Sequence, residues 1–134
     1  MELYHPILRK ILSFGVDSVK LDKLPIEQKK ALLKHAGTVF LHRCDYEESA
    51  KAFAAAKDTD SLNQNVRWFL EEHKPHIAAL FAVHLTKNDL LEKIATECIE
   101  TGHLDQAILV YQKLHDDTMV RFIYENLRQP GIMH

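Results

Sequence analysis

The sequence predicts an all-α protein, a right-handed stack of helical hairpins with about eight helices. Apolar residues recur at spacings of three and four through most of the chain, as they do on the buried face of an amphipathic helix. Three short turns also fall at a fixed step of 29 residues. A fixed period in this range is typical of arrays in which helical hairpins stack on one another. The turns are Arg43-Cys44-Asp45-Tyr46, Glu72-His73-Lys74-Pro75 and Thr101-Gly102-His103-Leu104.

Core residues recur at the same step on both sides of each turn. On the helix before the turn they are Leu33, Leu62, Leu91 and Val120, then Phe40, Phe69, Cys98 and Leu127. On the helix after it they are Ala50 (or Ser49), Ala78 and Ala107, then Phe53, Ala82 and Tyr111, then Ala56, Leu85 and Leu114. We therefore expect one domain over residues 1–134. It comprises a capping helix and linker (1–24), three units (30–58, 59–87 and 88–116) and a half-unit (117–128).

The segment before the first unit predicts a helix and an ordered linker. Pro6 suits a first helical turn, apolar residues 7, 8, 11 and 12 share one face, and Gly15 can end the helix. We expect this 6–14 helix to cover one end of the stack, because a terminal unit would otherwise expose apolar surface. Val16, Val19 and Leu21 should then lie over the first hairpin. At the other end we expect Arg121, Glu125 and Arg128 to face water.

Helix starts are predicted from capping residues. Pro25 opens a helix that runs to about Arg43, and Asp45 should cap the next helix through its carboxylate. The first helix of each later unit should be capped two residues before its anchor leucine or valine. These predicted caps are Asp60, Asp89 and Thr118.

Composition and charge exclude several classes of protein. The chain is 46% hydrophobic and 27% charged, which is ordinary for a globular domain. A net charge of −2 argues against a nucleic-acid-binding surface, which usually needs a concentrated basic face. No apolar run approaches the roughly 20 residues needed to span a bilayer, and the N-terminus lacks the order of a secretion signal. We expect a cytoplasmic protein that binds neither nucleic acid nor membrane.

The first unit resembles a tetratricopeptide repeat. It reads Leu33-x₂-Ala36-Gly37-x₂-Phe40, then Cys44-Asp45-Tyr46, then Ser49-x₃-Phe53-x₂-Ala56. The third unit reads Leu91-x₂-Ile94-Ala95-x₂-Cys98, then Gly102, then Ala107-x₃-Tyr111-x₂-Leu114. The step is 29 residues rather than the family's 34, no proline closes a unit, and the middle unit keeps few of the pattern residues. The resemblance covers about residues 30–128 and implies a degenerate tetratricopeptide-like α-solenoid with helices about one turn shorter.

The resemblance also implies a binding surface. In tetratricopeptide-like stacks one face of the first helices lines a concave groove. Carried onto this chain, the partner-binding positions are Lys34, Thr38, His42, Asn63, Arg67, Glu71, Glu92, Thr96 and Glu100. Lys34, Asn63 and Arg67 match the residue types of the family's peptide-carboxylate clamps, whereas Glu92 and Glu100 depart from them. An ordinary solvated face is the alternative interpretation of the same residues.

Nine histidines raise the alternative of a small metal-binding protein or enzyme. His35 and His42 lie on one predicted helix, and His73 and His76 flank Lys74-Pro75. Zinc needs about four converging ligands, usually supplied by two close pairs, and the sequence has no such double pair. We therefore expect no metal, no cofactor and no catalytic residue.

Two further residue types have competing interpretations. Cys44 and Cys98 occupy structural columns of the frame, so we expect small hydrophobic residues rather than nucleophiles. Trp68 lies beside the anchor Phe69, which favours core packing over an exposed binding residue.

These observations together predict a non-enzymatic interaction module or adaptor. It would bind a protein or peptide in a helix-lined groove and exist as a monomer or as a weak homodimer through an uncapped end.

Overall fold

The computed structural model describes residues 6–127, which form eight α-helices and no β-strand. This confirms the all-α prediction. The helices are α1 (Pro6–Phe14), α2 (Ile26–His42), α3 (Tyr46–Ala55), α4 (Thr59–Glu71), α5 (Pro75–Ala82), α6 (Asn88–Glu100), α7 (Leu104–Lys113) and α8 (Asp117–Asn126). The chain divides into two compact units, Met1–Leu62 and Asn63–His134. The prediction for Arg128 lies outside the described residues.

In the first unit, α1 covers the hairpin formed by α2 and α3. Leu8 and Ile11 of α1 are fully buried, in a cluster that also contains Leu33 and Phe40 of α2. The following segment contains one 3-10 turn (Val16–Ser18), and the predicted contacts of residues 16, 19 and 21 with this core are confirmed. The turn is held to α3 because the Val16 N–H donates to Glu48 Oε1 at 2.7 Å.

The α2 and α3 helices approach most closely at Gly37. The Ser49 hydroxyl donates to the Gly37 carbonyl at 2.8 Å, which satisfies the one buried polar side chain of the described core. The ring of Phe53 lies directly against Gly37, where a β-carbon would come within 2.8 Å of it. A small residue in the helix interior is therefore required by packing rather than by backbone conformation.

In the second unit, α4 contacts α5 through stacked aromatic rings, and α5, α6, α7 and α8 pack in succession. The rings of Phe69 and Phe81 have centroids 5.8 Å apart. The alanines of α5 and the residues Leu91 and Ile94 of α6 are buried, and these two helices pack against each other. The predicted core positions that are 5% exposed or less include Leu33, Phe40, Leu62, Phe69, Leu91 and Ile94. Three others, Leu114, Val120 and Leu127, are only half-buried, which corrects their assignment to the core.

The three turns of the predicted frame have the same backbone geometry. Each contains one residue with φ between 58° and 80°, at position 44, 73 or 102. In each, that residue's N–H donates to the carbonyl three residues back, and the next N–H donates to the carbonyl five residues back, as in a Schellman motif. Lys57 and His115 form the same motif, 58 residues apart. Steric cost normally restricts this left-handed conformation to glycine, so its recurrence at non-glycine positions shows how strongly the flanking helices fix the turns.

The structure corrects the predicted helix caps. The helices start directly after residues 58, 87 and 116, two residues before the predicted caps Asp60, Asp89 and Thr118, which lie in the first helical turns. For α4 and α8 the reason is that the left-handed residue of a Schellman turn, Lys57 or His115, directly precedes the cap residue, so the backbone sets the start. Asp58 and Asp116 accept hydrogen bonds from the N–H groups three residues later, at 3.2 and 3.1 Å. Asp45 occupies the predicted cap position, but its side chain makes no capping hydrogen bond.

Candidate functional site

The nine predicted partner-binding residues lie on α2, α4 and α6, and most of them face solvent. Eight are exposed and Asn63 is half-buried. On each helix they follow a spacing of four residues, which places them along one face. That all nine line one groove stays a prediction.

Several of these residues have internal partners. Lys34 Nζ lies 3.9 Å from Asp58 Oδ2, an ion pair in which the lysine is largely exposed and the aspartate is not. Asn63 accepts a hydrogen bond from Lys87 Nζ at 2.8 Å. The Thr38 hydroxyl donates to the backbone carbonyl four residues back, which leaves the oxygen's lone pairs available to a ligand.

A groove of about 590 Å³ runs along the seam between α1 and α2 in the first unit. The α1 side consists of Arg9, Leu12 and Ser13. The α2 side consists of His35, Thr38, Val39, His42 and Arg43. Thr38 and His42 belong to the predicted partner-binding set, whereas the α1 residues and Arg43 were not predicted. The sequence does contain a signal for the α1 residues. Arg9 and Ser13 lie four residues apart beside the apolar face of α1, so they must border the surface that this helix covers.

The polar groups of this groove are mostly basic. Arg9, His42 and Arg43 are exposed, whereas His35 is half-buried, and the lining contains no carboxylate. Arg43 Nη1 donates to the Leu12 carbonyl at 3.3 Å, which holds the guanidinium at the C-terminal end of α1. His35 Nε2 is buried and has no hydrogen-bond partner among the described residues.

The structure contradicts the prediction that Trp68 packs in the core. This residue is 56% exposed on the surface of α4. The buried face of α4 is instead formed by Leu62, Val66 and Phe69. One residue corresponds to about 100° of rotation around a helix, so Trp68 points away from the core although it adjoins Phe69.

The histidines do not converge on a metal site in the described part of the chain, where no group of three or more potential ligands lies close enough together to hold an ion. His76 and His103 stack with ring centroids 3.9 Å apart and nearly parallel planes. Burial lowers the pKa of His76, and the nearby charges of His103 and Lys74 lower it further. His103 Nδ1 also lies 2.8 Å from the Thr101 hydroxyl. This pair is a packing contact between α5 and the residue before α7.

The two cysteines differ in exposure. Cys98 is fully buried, as predicted, and burial with the nearby Glu97 charge raises its pKa to about 12. Cys44 is exposed, which contradicts the prediction that it acts as a small core residue. The reason is its left-handed turn position, with φ of 61°, at the surface between α2 and α3.

A small pocket of about 140 Å³ lies in the second unit, between the C-terminal end of α4 and that of α6. Glu97 and Glu100 supply its carboxylates, and His73 borders it. Glu100 is a predicted partner-binding residue, and Glu97 adds a second carboxylate beside it in this pocket.

Comparison with known proteins adds no functional information. No family model matches the chain, and neither a curated protein nor a solved structure matches it. None of the helices in residues 6–127 combines the length and apolarity that crossing a bilayer requires.

Proposed function

We propose that this protein is a non-enzymatic interaction module that binds a peptide or partner helix on exposed faces of its helices. The supporting observation is the exposed indole of Trp68 on α4. A protein partner and a cytoplasmic location belong to the same proposal.

An exposed tryptophan in this position supports binding for an energetic reason. An aromatic side chain presents roughly 150–250 Å² of surface, of which a little over half is open here. At about 25 cal/mol per Å², covering that area would contribute roughly 2–3.5 kcal/mol to an association. The folded chain does not itself gain this contribution, because it leaves the indole exposed.

The residues around Trp68 suit a binding surface. Gln64, Arg67 and Glu71 are exposed and lie within one helical turn of it on α4. Tryptophan and arginine are the residue types that most often dominate the energy of a protein interface. Arg67 and Glu71, four residues apart on the same side of the indole, add charges that can orient a partner.

The proposal can be tested by fluorescence, because Trp68 is the only tryptophan in the chain. A displayed library of helical and extended peptides would be selected against the full chain, and the selected peptides would be titrated individually. We expect a blue shift of the emission on binding, since the indole leaves water. Trp68→Ala and Arg67→Glu should both weaken the selected peptides, measured with labelled peptides because the first variant has no tryptophan.

Lys57→Glu provides the matched control, since it reverses a charge at a turn rather than on the α4 face. It should leave affinity unchanged. Circular dichroism would verify that all variants keep their helix content. If the selected peptides bind Trp68→Ala as tightly as the unmodified chain, the α4 face is not the binding surface and the proposal fails.

A further inference from the structure

The groove between α1 and α2 differs from the α4 face in both location and charge, and we propose that it binds an acidic peptide segment. This inference rests on the proposed role as an interaction module and assigns to it a second site with a defined ligand class. All residues that line this groove belong to the first unit.

The charge of the groove favours an acidic ligand. Arg9, His42 and Arg43 border the groove, its lining has no carboxylate, and no acidic side chain within residues 6–127 pairs with Arg9 or Arg43. The chain as a whole has a net charge of −2, so this basic border is a local feature and not a reflection of composition. Arginine binds carboxylates through two parallel hydrogen bonds, which makes such a border selective for acidic side chains.

The shape and polarity of the groove suit a short peptide segment. Leu12 and Val39 are half-buried at the groove and provide an apolar surface between its basic sides. The volume of about 590 Å³ is that of a site for a few side chains. The site therefore suits an extended or helical segment with acidic residues on both sides of an aliphatic one.

The Arg43 side chain is preorganised for binding. The hydrogen bond from Arg43 to the Leu12 carbonyl fixes the guanidinium before any ligand arrives, which lowers the entropy lost on binding. A guanidinium has five N–H donors, so this bond leaves others available. Ser13 and Thr38 add hydroxyl groups on opposite sides of the groove.

The experiment uses the full chain and a short fluorescein-labelled peptide of Glu and Asp interrupted by two leucines. A matched peptide with Gln and Asn in place of the acids serves as the neutral comparison. Fluorescence polarisation should show binding of the acidic peptide only. Its affinity should fall as NaCl rises from roughly 50 to 300 mM, because the screening length shortens over that range.

Two variants and two matched controls locate the site. Arg9→Glu and Thr38→Glu each place a negative charge in the groove and should weaken the acidic peptide by at least about fivefold. Arg121→Glu and Thr118→Glu make the same substitutions at exposed positions of α8 and should keep the original affinity. Circular dichroism and urea unfolding would show that each variant is folded.

Three results would overturn the inference. The first is that the neutral peptide binds as tightly as the acidic one, and the second is that the α8 controls lose as much affinity as the groove variants. The third is that a single-stranded oligonucleotide displaces the peptide at comparable concentration, which would indicate a general polyanion surface. The Trp68→Ala variant separates the two proposals. If binding of the acidic peptide survives Trp68→Ala, this site is supported whether or not the α4 face binds a ligand. If the acidic peptide does not bind, only peptides whose binding depends on Trp68 support the proposed function.

Discussion

Replacing Gly37 with alanine tests the close crossing of α2 and α3. A β-carbon at this position would lie 2.8, 2.9 and 2.9 Å from three carbon atoms of the Phe53 ring. Favourable carbon contacts lie at about 3.5–4.0 Å, so the ring must move by more than half an ångström. Phe53 is only 4% exposed, and the Ser49 hydrogen bond holds the two helices together at this point.

Two opposing terms set the magnitude. Alanine is favoured over glycine in a helix interior by about 1 kcal/mol. Overpacking a well-packed core costs about 1–3 kcal/mol, and contacts this short place Gly37→Ala toward the upper part of that range. We expect a net loss of about 1–2 kcal/mol, which lowers the melting temperature by roughly 3–10 °C for a chain of this size.

Urea unfolding followed by circular dichroism measures the loss, and a double-mutant cycle assigns its cause. Combined with Phe53→Leu, Gly37→Ala should cost at least about 1 kcal/mol less than it does alone, since the smaller side chain removes the clash. Gly102→Ala is the matched control, because a β-carbon there meets nothing within 4 Å and the positive φ alone is strained. If Gly37→Ala is as stable as the unmodified chain, or if its cost is unchanged by Phe53→Leu, the reasoning about this crossing is wrong.

Two further predictions concern the titratable groups. At about neutral pH, a thiol reagent should modify Cys44 quickly and Cys98 only after denaturant is added, because burial and a pKa of about 12 keep Cys98 protonated; fast modification of both thiols in the native chain would contradict this. The pKa of His76 is lowered in the folded state, so the unfolded chain takes up more protons as pH falls below about 6.5, and the free energy of unfolding should decrease there. His76→Gln should lose less stability between neutral pH and about 5.5 than the unmodified chain does, as measured by urea midpoints, and an identical loss would show that the contact with His103 is irrelevant to acid sensitivity.

The sequence predicts the helices and their buried faces well because both depend on periodicity. Leu33, Leu62 and Leu91 recur at a step of 29 residues on amphipathic helices, and a helix that hides its apolar face must bury these positions. The helix bounds are also close: the predicted helix from Pro25 to about Arg43 is observed as Ile26–His42. Local patterns are enough for predictions of this kind.

The sequence does not predict the helix starts or the exposure of Cys44, because the backbone conformation decides both. Asp58-Thr59-Asp60 offers three acceptable capping residues, and only the preceding left-handed turn selects the first. Gly102 occupies the same frame position as Cys44, which signals a conformational requirement at the surface rather than a need for core packing. The apolar character of cysteine favours core packing and so points away from this signal.

The candidate sites were the least predictable part. Periodicity assigns Phe69 to the core but does not decide how far the adjacent Trp68 is covered, because that depends on the neighbouring helices. The α1/α2 groove involves Arg9, which lies outside the repeating frame. Its position relative to Arg43 is set by how the two helices interdigitate, which a single sequence does not specify.

The Schellman turns have a practical consequence for chemical modification of this protein. Their geometry is held by backbone hydrogen bonds, and residues as different as Cys44, His73 and Gly102 adopt it. A side chain at such a position can therefore carry a bulky group with little effect on the helices beside it. Cys44 already places a thiol there, so a spin label, dye or surface tether can be attached to the native sequence without an engineered cysteine.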